Sequence, residues 1–324
     1  MADSDEAPTQ GAEPTPTPLS GSSRPPLGRI GAWSGRLQRR PTHQAVEAVA
    51  ELEELGYQSV WIPESPFGKD VLTFSAVLLG ATDSITVATG IANIWARDAV
   101  SMMNSARTIG DAHPERFLLG VGISHRRTAE TRGHDYRTPV AVMRKYLHAM
   151  ASAGFDGHDP VWQPPVVLAA LGPRMMGLAA ELTGGAHPFL APPEHTATAR
   201  AILGPNKLLA VEQGVVLGSG IKARERARSN LARYLAWPNY QRHFLRLGFD
   251  EVDFTDRISD RLIDAALAVG DEDDADRRIR AHLDAGADHV CVQIVTDNVA
   301  GVVAGGTDDE LTGYRQLAGA LTLD

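Results

Sequence analysis

Eight short apolar runs, separated by stretches of helical spacing, constrain this chain more than anything else in it. They are RIGAW (29–33), SVWIPE (59–64), ITVATG (85–90), RFLLGVGISH (116–125), VVLAA (166–170), AHPFL (186–190), LLAVEQGVVL (208–217) and HVCVQIV (289–295). Their cores lack the polar–apolar alternation of a half-exposed strand, so each reads as a strand buried on both faces, as in a parallel sheet covered by helices. Between the first two runs, Thr42 caps a helix whose Ala45, Val46, Val49, Leu52 and Leu55 form one apolar stripe, and Gly56 ends it. Further helices are expected over 71–79, 99–109, 138–150, from Pro173 to about 182, and over 196–203, 271–285 and 311–321. Residues 224–269 are too long for one crossover and read as an added helical segment.

Nearly every strand is followed by a helix, which leaves an open doubly wound sheet or a closed barrel. The open sheet usually carries a Gly-x-Gly-x-x-Gly turn after its first strand, and RIGAWSGRL has none. The expected fold is therefore α/β, a (β/α)8 TIM barrel over residues 28–324 with a helical insertion. A chain of 324 residues accommodates it as one domain. Residues 1–27 are rich in Pro, Ser and Thr, poor in large apolar residues, and expected to be a disordered tail.

Composition narrows the function. A formal charge of −9 argues against nucleic acid as a partner. No apolar run approaches the roughly 18 residues of a membrane span, and the tail lacks a signal-peptide core, so a cytoplasmic protein is expected. Cys291, the one cysteine, lies inside an apolar strand and reads as structural.

In a barrel the strand ends converge on one mouth. Collected there are Trp33, Glu64, Gly90 to Asn93, Ser124 and His125, Leu171 to Arg174, Pro192 to His195, Glu212, Gln213 and Gln293. Few acids or bases and several glycines suit a large flat ligand better than a hydrolytic centre. No His-Glu-x-x-His pair suggests a metal, and no Gly-x-Ser-x-Gly elbow suggests a serine nucleophile. In LAALGPRM a strand feeds directly into a helix N-terminus, where free N–H groups, Gly172 and Arg174 would attract a phosphate; an ordinary βα turn explains the same residues equally well. Glu64 ends an apolar strand and reads as a pocket group. His125 is either a solvated rim residue or part of a flap that carries Arg126, Arg127, Arg132 and Arg137 toward an acidic ligand tail.

The ordered set RFLLGVGIS, VWIPES, ITVATGIANIWARD and VVLAALGPRM…AHPFL resembles the luciferase-like monooxygenase superfamily, in particular its actinobacterial coenzyme F420-dependent oxidoreductases. The likeness covers about residues 29–321. It implies a deazaflavin, coenzyme F420, across the barrel mouth, with flavin mononucleotide (FMN) as the alternative. It further implies a non-proline cis peptide at Gly90–Ile91 supporting the central ring, with Asn93 near the ring edge. Leu171, Gly172, Pro173 and Arg174 would hold phosphate, and Gly122, Ser124 and His125 would contact cofactor or substrate. Many members place a catalytic histidine after the second-strand carboxylate; here Ser65 stands there. Glu64 with His125 is the preferred proton-handling pair, with His195 as the other candidate.

The expected activity is hydride transfer between coenzyme F420 and a small organic substrate, in a homodimer. The rivals are an FMN-dependent monooxygenase served by a separate reductase and a cofactor-binding protein without catalysis. Residues 95–101, 128–136 and 224–256 are expected to line the substrate side, and nothing in them names the substrate.

Overall fold

The computed structural model describes residues 18–158, 160–254, 257–297 and 309–323. Its first half alternates β1 (Ile30–Trp33), α1 (Thr42–Glu54), β2 (Ser59–Ile62), α2 (Val71–Leu79), β3 (Thr86–Thr89), the short β4 (Ala92–Asn93), α3 (Ala99–Ala112), β5 (Phe117–Gly122), α4 (Arg126–Thr131) and α5 (Pro139–Ala151). The second half runs β6 (Val166–Leu168), α6 (Pro173–Leu182), β7 (Gly185–Ala186), α7 (Pro193–Leu203), β8 (Leu208–Leu217), α8 (Gly220–Leu235), α9 (Pro238–Arg246), α10 (Asp260–Ala266), β9 (Leu267–Gly270), α11 (Glu272–Asp284), β10 (His289–Ile294) and α12 (Asp309–Ala318). Helix starts follow local chemistry: Asp70 and Asp98 accept from the N–H groups of Thr73 and Ser101, and Pro173 opens α6.

Every ladder is parallel. β1, β2, β3, β5, β6, β7 and β8 neighbour one another in turn, and β10 pairs with both β8 and β1, which closes an eight-stranded barrel. The fold is the expected TIM barrel. Strand residues of one parity pack outward against the helices, and those of the other parity fill the barrel: Trp33, Trp61, Ala88, Leu118, Val167, Leu208, Ala210 and Cys291, with Leu27.

Aromatic rings stack inside the barrel. Trp61 lies 4.4 Å from His187 and 5.8 Å from His289, with interplanar angles of 19° and 23°. Trp61 Nε1 donates to His289 Nε2 at 3.0 Å, which leaves His289 Nδ1–H to donate to the Gly28 carbonyl at 2.8 Å. Gly31 makes room for this stack, since a Cβ there would meet Ser59 Oγ at 2.3 Å and His289 Cε1 at 2.7 Å.

Three expectations need correction. The tail does not extend to residue 27. Leu19 donates to the Leu182 carbonyl and accepts from Val166 N, Ser23 accepts from Trp162 Nε1, and Pro26 accepts from Thr86 Oγ1. Residues 1–17 lie outside the described residues. The segment over 224–269 is not wholly helical, because β9 adds to the outer half of β8, from Gly214↔Leu267 to Leu217↔Gly270. A four-residue apolar run following a helix carries too little periodicity to be told from one more turn. Finally, the sixth strand is only Gly185–Ala186, so most of AHPFL lies beyond it. Among the described residues no helix is long and apolar enough to cross a membrane.

Candidate active site

A cavity of about 760 Å³ opens at the C-terminal ends of the strands. Trp33, Glu64, Gly90, Ile91, Ser124, His125 and the turn from Ala169 to Met175 line one part of it. His187 and Phe189, Tyr136, Tyr234 from α8, and Asn239, Tyr240, Arg242 and Arg246 from α9 complete the wall. Of the predicted site residues, Glu64, Gly90, Ile91, Ser124, His125, Leu171, Gly172, Pro173 and Arg174 meet at this cavity. Asn93 and Gly122 do not line it; both are packed beneath the loop after β3.

That loop is built as a shelf. The Gly90–Ile91 peptide is cis. Glu64 N–H donates to the Ile91 carbonyl at 3.1 Å, and Glu64 Oε2 accepts from Asn93 N at 2.7 Å. Arg97 reaches both Glu64 oxygens and also Asp70. The Glu64 side chain is only 4% exposed, and both its oxygens accept hydrogen bonds that brace the shelf. Gly122 supports the shelf from behind, because a Cβ there would lie 2.7 Å from the Ile91 side chain. One layer below, Thr89 Oγ1 donates to the Gly120 carbonyl at 2.7 Å and accepts from Gly120 N at 2.8 Å, tying β3 to β5.

The three candidate histidines differ sharply. His125 stacks on Trp237 at 4.5 Å, and its Nδ1 lies 3.1 Å from Asn239 Oδ1, which makes Nδ1 the donor. Burial pushes its imidazole below the usual range, against the opposing effect of the Asn239 bond. His195 lies behind the wall, where Nε2 donates to the Leu171 carbonyl at 2.9 Å, and its ring meets His243 edge-on at 4.7 Å. His187, absent from the predicted set, stands on the cavity floor directly after β7.

The far end of the cavity is positive. Gly172 is the N-cap of α6 without a side-chain cap, so the first-turn N–H groups remain available. Arg174, Arg242 and Arg246 line the cavity at this end, and a Cβ on Gly172 would lie 3.8 Å from the Arg246 guanidinium. Among the described residues none of these three arginines has a carboxylate or hydrogen-bond partner. Burial, and then the charge of Arg242, lower the Arg246 pKa. In a chain of net charge −9, these three cations and the helix N-terminus give this end of the cavity a positive potential. Of the flap arginines, Arg126 pairs with Glu130 and lies 5.7 Å over the ring of the cavity-lining Tyr136, Arg137 pairs with Asp135, Arg132 reaches the Pro66 carbonyl, and Arg127 is exposed. Among the described residues no three His, Cys, Asp or Glu side chains gather as a metal site.

Behind the aromatic wall lies Glu212 of β8, fully buried. Its Oε2 accepts from Leu190 N at 2.8 Å, and Oε1 has no partner. Burial pushes its carboxyl up to about 8, with the Leu190 bond opposing. Between its ordinary value of 4.5 and 8 the folded chain holds a proton that the unfolded chain has lost, so this group makes stability fall as pH rises through that window. The loss between pH 6.5 and 8 is about 1.5 kcal/mol, or about 3 °C in Tm. The buried histidines have lowered pKa values and remove stability only as pH falls below about 6.5. Glu212→Gln is therefore expected to flatten the decline in Tm from pH 6.5 to 8 in thermal melts. Parallel pH profiles for the two proteins would contradict a neutral Glu212.

Comparison with known proteins gives the family and the fold. A family model described as luciferase-like monooxygenase matches residues 27–204, more than half of the chain. The 5,10-methylenetetrahydromethanopterin reductase of Methanolobus tindarius is 26% identical over 149 residues, covering 41% of this chain and 46% of that protein. The chain spans about half the length of the curated relatives it matches. An F420-dependent secondary alcohol dehydrogenase in complex with an F420–acetone adduct superposes with a TM-score of 0.69 at 14% identity, covering 91% of this chain and 98% of the other. The oxygenating constituent of 3,6-diketocamphane monooxygenase from the CAM plasmid of Pseudomonas putida, in complex with FMN, gives 0.63 at 15% identity, covering 90% and 96%. At these identities the structures share the fold.

Proposed function

The chain belongs to the luciferase-like monooxygenase family, and on that footing we propose that it is an oxidoreductase moving a hydride between coenzyme F420 and a small organic substrate. The observation that carries this reading is the group of three arginines, Arg174, Arg242 and Arg246, that line the cavity with the uncapped start of α6 and have no partner among the described residues. A deazaflavin needs a flat slot, a phosphate cradle and a positive edge for its acidic tail, and the residues present fit all three. The Gly90–Ile91 shelf would support the ring. The Gly172 turn would hold the phosphate, and the α9 arginines would meet the negative charge that follows it.

The bound deazaflavin would supply the hydride chemistry. The chain's own part is to bind, orient and exclude water. Phe189, Tyr234 and Tyr240 make a largely apolar wall over the slot, and mutual edge contacts hold it, with ring centroids 5.2 to 6.4 Å apart. Glu64 positions the shelf through Asn93 and Arg97, while His125, stacked and tethered to Asn239, presents Nε2 as its free nitrogen. One curated relative and one of the superposed structures are F420-dependent by name, which supports the deazaflavin. FMN is the second reading, favoured by one FMN-bound neighbour and by the same phosphate cradle; it would require a separate reductase.

Fluorescence titration of the purified protein with oxidised coenzyme F420 and with FMN tests the reading. Saturable binding of the deazaflavin, at least tenfold tighter than FMN, is the expected result. Tighter binding of FMN would favour the monooxygenase, and binding of neither would overturn both readings.

A further inference from the structure

Two buried histidines meet behind the positive end of the cavity. His195, in the first turn of α7, is 6% exposed, and His243, on α9 between Arg242 and Arg246, is 1% exposed. Their rings touch edge-on, with centroids 4.7 Å apart. His195 Nε2 lies 2.9 Å from the Leu171 carbonyl, which can only accept, so the proton sits on Nε2 and Nδ1 carries a lone pair. Among the described residues that Nδ1 has no partner, and neither has His243 Nε2.

His195 joins the two pieces of chain that make the positive end. Its hydrogen bond fixes the carbonyl one residue before Gly172, the N-cap of α6, and so holds the turn whose N–H groups face the cavity. Its contact with His243 reaches the helix that carries Arg242 and Arg246. Around the two rings, α6 brings Arg174, α9 brings Arg242 and Arg246, and α11 brings Arg278 and His282, whose two nitrogens are already bonded to Thr196 and Gln213. The acids on these elements are Glu194 of α7, which acts on Arg278, and Glu212 of β8, which burial holds protonated; α8 adds the neutral Tyr234. Burial lowers the His195 imidazole, the Leu171 bond opposes this, and Arg246 lowers it further. Burial, then His195, then Arg246 push His243 down to about 3. Both rings are therefore neutral near neutral pH, and the cation that helps to keep them so is one that lines the cavity.

Resting on the reading above, which sets an anionic cofactor tail at this end, we propose that His195 is a positioning residue for that tail and takes up one proton at Nδ1 when the tail binds. A negative charge held by the Gly172 turn, Arg174, Arg242 and Arg246 offsets the repulsion that Arg246 exerts on the ring and replaces it with attraction. The proton goes to His195 because its second nitrogen is a free lone pair. His243, the more strongly depressed ring, stays neutral beside it, since two imidazolium ions in contact repel. A cationic His195 donates more strongly to Leu171, which stiffens the turn against the anion. The sign of the pH dependence follows from linkage. Between the free-state and bound-state values the complex holds a proton that the free protein lacks, so affinity for the anion rises as pH falls through that window.

The test uses full-length protein with 13C-labelled histidine rings and sulfate as the probe, an anion that does not itself titrate where imidazoles do. The His195 signal, identified by its loss in His195→Gln, is followed by NMR from about pH 8 to about pH 5 with and without sulfate. Its midpoint is expected to rise by at least about one unit at saturating sulfate, and sulfate affinity to rise about tenfold over the same range. His195→Gln keeps a donor for the Leu171 carbonyl and cannot take the proton. It is expected to bind sulfate within about twofold of wild type at about pH 8 and to lose the rise. His195→Leu loses the donor as well and is expected to bind more weakly throughout. A histidine that served only to pack would leave affinity with the same pH dependence in wild type and His195→Gln. That result, or a His195 midpoint that sulfate does not move, would overturn the proposal. Fluorescence titration of the same wild-type samples with coenzyme F420, sulfate competing, separates the two readings. Cofactor binding with an unmoved midpoint sinks the proton uptake alone, and a moved midpoint without cofactor binding upholds the uptake and sinks the deazaflavin.

Discussion

Exchanging Arg242 and Arg246 together for glutamate is expected to weaken coenzyme F420 binding by between a hundredfold and a thousandfold. Both are surface-exposed on α9 and have no hydrogen-bond or ion-pair partner among the described residues, so the exchange removes no described contact that holds the fold. Each charge-assisted bond to a phosphate or carboxylate is worth about 1.5–3 kcal/mol, less where solvent screens it, and reversal adds repulsion. Wild-type affinity should fall with added salt, and the variant should lose most of that dependence. Titration at two ionic strengths, with circular dichroism as the control for folding, checks both points. An affinity within threefold of wild type would place the cofactor tail elsewhere.

Gly120→Ala is expected to be the most damaging single methyl in the barrel. The new Cβ would sit 2.0 Å from the Thr89 carbonyl oxygen, a backbone atom that no rotamer change can move. The Thr89 hydroxyl bonds both backbone groups of Gly120, so relieving the overlap also parts these two hydrogen bonds. A loss of more than about 4 kcal/mol follows, a large share of the roughly 5–15 kcal/mol that holds a domain together. The matched control is Gly177→Ala in α6, where nothing lies within 4 Å of the new methyl. It is expected to add up to about 1 kcal/mol through helix propensity. Chemical unfolding of the two variants checks this, and equal stabilities would contradict the close approach at Gly120.

The barrel was legible because eight continuous apolar runs admit few arrangements; the convergence of Glu64, Ser124, His125 and the Gly172 turn followed because strand ends must meet at one mouth, and the cis Gly90–Ile91 peptide came from the family resemblance. What escaped the sequence was non-local or short. Arg97 stands 33 residues beyond Glu64, so its ion pair cannot be read from spacing, and without it Glu64 resembles a free acid. His187 was hidden inside AHPFL, although Pro188 was a usable signal: it has no N–H for a ladder, and pairing does end at Ala186. His187 is therefore the first residue past the strand, which puts its ring on the floor. Arg242 and Arg246 share one face of α9 at a four-residue spacing with no acid between them. That pattern was visible, but its direction toward Gly172 depends on how the inserted helices fold back. Leu19 to Pro26 looked like tail because eight residues bound mainly through backbone and hydroxyl groups carry almost no hydrophobic signature.

The most direct test of the account is the difference in affinity between coenzyme F420 and the same deazaflavin lacking its phosphate-bearing tail, measured by fluorescence titration at one ionic strength. If the shelf holds the ring and Gly172, Arg174, Arg242 and Arg246 hold the tail, the truncated compound binds at least a hundredfold more weakly. Equal affinities would leave the positive end of the cavity without its role and contradict the account.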